Sequence, residues 1–159
     1  MTLVSIEGNI GAGKSTLIST LKTKFSNTVV FVDEPVDEWS TIRDDDGVTI
    51  LQKYYADQKR YAFAFQMMAF ITRATRLRKA IQENPGAIVV TERSVFTDRE
   101  IFAKMLYDQR KIEEIEYRIY LKWFDELVGD LKVHGVIYVR VEPDVCHERI
   151  IGRDRPGAT

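Results

Sequence analysis

Gly8-Asn9-Ile10-Gly11-Ala12-Gly13-Lys14-Ser15-Thr16 fits the pattern G-x-x-x-x-G-K-[ST] at every fixed position. The run before it, Thr2-Leu3-Val4-Ser5-Ile6, reads as a buried strand. After it, Leu17, Ile18, Leu21 and Phe25 recur at helical spacing. A strand, this loop and a helix form the setting in which glycines let backbone N–H groups turn inward around a phosphate, and the helix N-terminus adds positive potential. In that setting Lys14 reaches the β- and γ-phosphates of a nucleotide and Ser15 ligates Mg²⁺. A chance glycine-rich turn is the competing explanation. With glycine at about 7% of residues such a match is rare, and chance does not supply the flanking strand and helix.

Outward from the loop, strands alternate with helices. A second strand, Thr28-Val29-Val30-Phe31-Val32, runs into Asp33-Glu34-Pro35-Val36-Asp37-Glu38-Trp39, where Pro35 ends regular pairing. Asp44-Asp45-Asp46-Gly47 reads as a solvated turn, and helical spacing follows over 48–55. A long helix over 59–83 is apolar on more than one face. Asn84-Pro85-Gly86 breaks it before a third strand, Ala87 to Thr91, which leads into Glu92-Arg93-Ser94. Helices are expected from Thr97-Asp98 and over 111–131, then a fourth strand over 136–141 and a short helix from Pro143 to about Ile151. Such alternation predicts an α/β fold with a parallel sheet flanked by helices in three layers, as one domain over 1–159.

The whole chain sets bounds on partners. Its 159 residues are 45% hydrophobic and 30% charged with a net charge of −1, which disfavours polymeric nucleic acid. One cysteine, Cys146, excludes an intramolecular disulfide framework and a multi-cysteine zinc site. No apolar run of about 18 residues exists to span a membrane. The first strand begins almost at Met1, leaving no room for a signal or transit peptide, so the expected compartment is cytoplasmic.

In a parallel sheet, ligands bind beyond the carboxyl ends of the strands. Glu34 follows the second strand there and is a candidate base for an attacking hydroxyl; the plainer reading is a surface acid before a proline. Glu92-Arg93 follows the third strand to the same edge. Arg93 is suited to stabilising a transferred phosphoryl group and Glu92 to holding Mg²⁺, against a structural ion pair. Arg149, Arg153 and Arg155 suit a polyphosphate clamp, against a solvated basic tail. Trp39, Tyr55, Phe65 and Phe102 suit a slot for a planar ring, although aromatics at helical spacing are more often core. Gln66, Ala69 and Arg73 share one helical stripe, and a buried Gln and Arg need partners. His134 and His147 read as ordinary surface or turn residues.

Together these segments resemble the deoxynucleoside kinase family, on its deoxycytidine/deoxyguanosine kinase-like branch. The matching pieces are I-E-G-N-I-G-A-G-K-S-T from Ile6, E-P-V-D-E-W from Glu34, F-Q-x-x-A from Phe65, E-R-S-V-F-T-D-R-E-I-F from Glu92 and the arginine-rich end. The resemblance implies the P-loop kinase fold and ATP-dependent phosphorylation of the 5′-hydroxyl of a deoxynucleoside in nucleotide salvage. It implies Glu34 as the carboxylate that activates the hydroxyl, and Arg93 near that hydroxyl and the transferred phosphate. Lys14 joins them as catalytic, with residues 8–16 and Arg149, Arg153 and Arg155 on the donor phosphates. Gln66 pairs with the base, Phe65 and Phe102 flank it, Trp39 lies at its edge and Tyr55 meets the 3′-hydroxyl. Ala69, Arg73 and Asp98 resemble the deoxycytidine/deoxyguanosine branch. An Arg73–Asp98 pair keeps Asp98 an acceptor, which favours the exocyclic amino groups of cytosine and adenine, admits guanine and disfavours thymine.

Two departures accompany the match. Pro156-Gly157-Ala158 stands where the family carries an acid that partners the tyrosine. The family's further strand, helix and adenine loop have no counterpart, so the chain is expected to be short at its C-terminus, with donor-base recognition left open. A nucleoside monophosphate kinase of the thymidylate type is a second candidate function, but the acidic Glu34-to-Glu38 stretch would repel a phosphorylated acceptor. A non-catalytic subunit with this fold is the third, opposed by the intact Lys14, Ser15, Glu34 and Arg93. A homodimer is expected through the helices over 59–83 and 111–131, whose apolar surface exceeds what one sheet face covers.

Overall fold

A computed structural model describes residues 1–152 of the chain. Four strands form one parallel sheet: β1 (Thr2–Glu7), β2 (Val29–Val32), β3 (Ile88–Glu92) and β4 (Gly135–Tyr138), in the order β2-β3-β1-β4. The helices are α1 (Lys14–Phe25), α2 (Val36–Trp39), α3 (Ile50–Ala56), α4 (Gln58–Glu83), α5 (Val95–Thr97), α6 (Lys104–Asp108), α7 (Glu114–Val128) and α8 (Pro143–Ile151). A π-helical stretch, Asp98–Ala103, joins α5 to α6. The parallel α/β architecture expected from the alternation of strands and helices is the one observed.

The backbone divides into two compact units. Among the described residues the first comprises Met1–Glu34, Arg76–Ser94 and 132–152, and holds the four strands of the sheet. β1 and β3 lie in register from Thr2 beside Ile88 to Ile6 beside Glu92. Strand side chains alternate between faces, so Val4, Ile6, Val90 and Glu92 share one face. On that face Ile6, Val90 and Ile18 of α1 form a buried cluster with Leu17, Leu21, Val29, Phe31 and Val139 against it. The fourth strand is shorter than the apolar run 136–141 suggested. β1 offers partners only as far as Glu7, beside Tyr138, and the last bond runs from the Val139 N–H to the Glu7 carbonyl at 2.8 Å. His134 is more than a turn residue. Its Nδ1 accepts the Leu3 N–H at 3.1 Å while its backbone N–H donates to the Leu3 carbonyl at 2.8 Å, so side chain and backbone together form one more rung beside β1.

The second unit, Pro35–Thr75 and Val95–Leu131, is helical. Thr49 caps α3 in a reciprocal box with Gln52, which starts that helix at Ile50 rather than Val48. α7 likewise starts at Glu114, because Glu113 and Glu116 form its capping box and the Lys111 and Ile112 N–H groups both bond to the Leu106 carbonyl. Tyr120, Phe124 and Val128 recur at helical spacing and form the buried face of α7. Phe70 of α4 stacks on Phe124 at 5.4 Å and meets Tyr120 edge-on, and the Arg99 guanidinium lies 4.3 Å from the Phe124 ring centroid. The opposite face of α7 carries Ile115, Ile119 and Trp123, all exposed. Among the described residues no helix is long and apolar enough to cross a membrane.

Phe124 is fully buried among three aromatic rings. Truncation to Ala removes those contacts and leaves a cavity, so Phe124→Ala should lower unfolding free energy by about 3–5 kcal/mol in urea titration.

Candidate active site

The phosphate loop leaves β1 at Gly8 with three glycines at positive φ: Gly8 (152°), Gly11 (81°) and Gly13 (91°). Two of them are also required by close approach. A Cβ on Gly8 would lie 2.7 Å from the Val139 carbonyl oxygen, and one on Gly11 2.5 Å from that of Cys146. Lys14, the first residue of α1, folds back so that Nζ donates to the carbonyls of Asn9 (2.8 Å) and Gly8 (3.1 Å). It is buried. Burial first, then the Arg93 charge, lowers its pKa from the usual lysine value, while Glu92, Glu34 and Glu7 oppose the shift. α1 therefore begins at Lys14 rather than at Thr16.

Register carries Glu92 to the same place. It ends β3 on the face that α1 covers, and Ser15 Oγ lies 3.0 and 3.1 Å from its two carboxylate oxygens, donating its proton to them. Burial raises the Glu92 pKa above the ordinary carboxylate value, with the Glu34 charge adding; the Ser15 hydrogen bond, Lys14 and Arg93 pull the other way. Arg93 follows, buried, with a left-handed backbone at φ 62°. From α8, Arg149 Nη1 donates to the Gly11 carbonyl at 3.3 Å. Lys14, Ser15, Glu34, Glu92, Arg93 and Arg149 thus all belong to the first unit, with Asn9, Ile10 and Thr16 exposed along the loop. Arg153 and Arg155 lie outside the described residues.

The second unit gathers the ring-reading candidates. Gln66, Ala69 and Arg73 are all buried on one stripe of α4. Arg73 Nη1 forms an ion pair with Asp98 Oδ1, and Gln66 Nε2 lies 3.5 Å from the Asp98 carbonyl oxygen. Asp98 opens the π-helical stretch, and Phe102 lies half-buried within it; the wider turn was not legible in the run of Ile101, Phe102, Met105 and Leu106, and the helical segment begins earlier, at Val95. Trp39 sits in the one-turn helix α2, edge-on to Phe65 at 5.5 Å, with its indole N–H donated to Thr72 Oγ1 at 3.0 Å. Tyr54, not Tyr55, stacks on Phe65, at 4.7 Å. Tyr55 is 41% exposed and touches only the edge of this group, through Tyr54 at 5.5 Å.

Four further residues belong to these two settings. Tyr54 and Thr72 gave no signal, since their partners come from other helices. Tyr120 is buried beside the ion pair; burial and then the Asp98 charge push its hydroxyl far above the ordinary tyrosine pKa, so it stays protonated. Glu7 had the same sequence signal as Glu34, an acid ending a buried strand at the phosphate edge. Its Oε1 accepts the Ser94 N–H at 2.8 Å.

The Arg73–Asp98 pair has 4% side-chain exposure on both partners. Removing one partner takes the opposite charge away from a buried ion, whereas replacing both removes both charges. Asp98→Ala should therefore cost about 3–5 kcal/mol in denaturant unfolding, and Arg73→Met combined with Asp98→Ala clearly less.

A family model described as Deoxynucleoside kinase matches residues 4–159. A fowlpox virus (strain NVSL) protein named probable deoxycytidine kinase is 42% identical over 96% of this chain and 61% of its own length. Deoxycytidine kinase 1 of Xenopus laevis is 35% identical over 96% of this chain and 64% of its own. The human deoxycytidine kinase is 34% identical over 96% and 66% respectively. The chain thus spans less than two thirds of the length of each of these relatives. A phosphate loop closed by close backbone contacts, a hydrogen bond from Ser15 to the buried Glu92 and a match through nearly all of its residues have one common source: this chain belongs to the deoxynucleoside kinase family.

Proposed function

We propose that the protein transfers the γ-phosphoryl group of ATP to the 5′-hydroxyl of a deoxynucleoside, as a salvage enzyme of the cytoplasm. The observation that carries this reading is the buried group of Lys14, Glu92 and Arg93 at the carboxyl ends of β1 and β3, with Ser15 bonded to Glu92 at its exposed edge, in a chain of this family. Such transfer depends on positioning and on charge stabilisation rather than on covalent chemistry. The loop N–H groups and Lys14 hold the donor phosphates, with Arg149, Arg153 and Arg155 as further cations for them. Glu34 takes the proton of the attacking hydroxyl, and Arg93 meets the charge spread over the transferred group.

Mg²⁺ fits the residues present. Ser15 and Glu92 are already mutual neighbours, and Glu92 is a buried acid beside a second acid, Glu34, so a cation relieves both. These two side chains would hold the ion, which neutralises phosphate charge when bound.

For the acceptor we propose an uncharged deoxynucleoside rather than a monophosphate, because Glu34, Asp37 and Glu38 follow β2 where an acceptor phosphate would need cations. Gln66 and the Arg73–Asp98 pair read the base edge, Phe65, Phe102 and Trp39 enclose the ring, Ala69 leaves room for a purine and Tyr55 meets the sugar. The relatives' names, deoxycytidine kinase and, for one Xenopus laevis protein 32% identical, mitochondrial deoxyguanosine kinase, support this acceptor class. Turnover of ATP with each of the four deoxynucleosides tests the reading. Deoxycytidine and deoxyadenosine should exceed thymidine in kcat/KM by roughly 10- to 100-fold, the cost of one unpaired buried polar group. Glu34→Gln should lower kcat roughly 10²-fold or more. No turnover with any of the four overturns the proposal.

A homodimer is part of the same proposal. Ile115 is 62%, Ile119 42% and Trp123 49% exposed, one turn apart along α7, and Ile71 of α4 is exposed as well. Light scattering at micromolar concentration should give twice the chain mass, and Ile119→Glu should return the monomer value.

A further inference from the structure

We infer that Glu7 is a positioning residue for Arg93, so that the last residue of β1 sets both the start of the phosphate loop and the pose of the arginine. The inference rests on the function proposed above and assigns a residue to it that sequence reading passed over.

Arg93 has a backbone that residues with a Cβ rarely adopt, at φ 62°. Such a conformation persists only when its surroundings over-determine it. Three hydrogen bonds restrain it in succession. The Arg93 N–H donates to the Ile6 carbonyl at 3.0 Å, Thr91 Oγ1 donates to the Arg93 carbonyl at 3.0 Å, and the Ser94 N–H donates to Glu7 Oε1 at 2.8 Å. The first two come from the ladder and from β3 itself. The third comes from a charged side chain on a different strand, and a carboxylate acceptor makes about twice as strong a bond as a neutral one.

Glu7 is itself well fixed. Its Cα pairs with Tyr138 of β4 and its carbonyl accepts the Val139 N–H at 2.8 Å. Gly8 follows at once, held against the Val139 carbonyl so closely that no Cβ fits. The anchor of the Ser94 N–H and the entry to the phosphate loop are therefore consecutive residues. Moving the Glu7 backbone moves both, and removing its carboxylate frees the turn that presents the Arg93 guanidinium. Glu7 also adds to the negative potential around Lys14. A carboxylate that merely stabilised the fold would have no reason to act through Arg93, and that difference is measurable.

The test uses the full chain with Glu7→Ala, Glu7→Gln, Arg93→Gly and the Glu7→Ala/Arg93→Gly pair. In Glu7→Ala, kcat should fall roughly 10- to 100-fold while the KM values for ATP and deoxynucleoside change less than about threefold. Amide exchange at Ser94 should accelerate at least about tenfold with Val89 and Val90 of β3 unchanged. Glu7→Gln keeps an oxygen acceptor without the charge, and should recover most of the protection and lose less than about tenfold in kcat. Glycine adopts the left-handed turn unaided. On the Arg93→Gly background, therefore, adding Glu7→Ala should cost less than about threefold of the residual turnover. Unchanged exchange at Ser94, equal acceleration at Val89 and Val90, or the same fold loss with and without Arg93 would each overturn the inference. If Glu7→Ala alone does not fold, the Arg93→Gly pair and Glu7→Gln decide it. A wild-type chain without turnover overturns the kinase reading instead, and the exchange at Ser94 still decides whether Glu7 holds the turn.

Discussion

The parallel register of β1 and β3 is the constraint on which the first unit's chemistry depends. Ile6 beside Glu92 means that two strands end at one level, so the loop that follows one and the Glu-Arg-Ser turn that follows the other begin side by side. Side-chain alternation does the rest, because Glu92 falls on the face that α1 covers, where Ser15 meets it. A slip of one residue would send Glu92 to the opposite face and leave Ser15 without its acceptor. The apolar cluster of Ile6, Val90 and Ile18 resists that slip, since the same shift would expose it. Packing of three aliphatic side chains thus sets the geometry of a charged site.

Much of this is legible in the sequence. The loop motif with its flanking strand and helix, the alternation that makes a parallel sheet, and the acids that follow strands to one edge are local patterns with fixed physical meaning. What escaped reading depends on partners far away in the chain. Tyr54 stacks on Phe65 where Tyr55 was the candidate, and adjacent tyrosines on a short helix give no sign of which one turns inward. Thr72 takes the Trp39 indole proton from another helix. The ends of β4 and α7 moved because β1 runs out of partners at Glu7 and because Glu113 rather than an earlier residue caps its helix. His134 shows the limit in another form, since nothing in Lys-Val-His-Gly indicates that the ring nitrogen will take the place of a carbonyl beside β1.

The second unit puts an ion pair where an apolar contact would have been at least as stabilising. Two buried charges lose more hydration than a surface pair, and their attraction repays this only with good geometry. Arg73 and Asp98 come from α4 and from the π-helical stretch, so the pair also fixes those two segments against each other within the unit. Tyr120, protonated and buried beside them, keeps the surroundings free of a further charge. Polar groups held this rigidly discriminate between hydrogen-bond donors and acceptors better than an apolar wall of the same shape, which can reject a ring only by size.

The wide turn from Asp98 to Ala103 bears on how this helix can vary between lineages. Each residue in a helix advances the side chains by about 100°. A one-codon insertion here would keep Asp98 at the ion pair but swing Ala103 and Leu106 out of their buried positions, and every later contact of α6 with them, whereas a one-codon deletion can be absorbed by closing the wide turn to an α-helical one. Point substitution leaves that phase intact. Variation along this segment is therefore open to replacement of single side chains such as the half-buried Phe102, and least open to insertion.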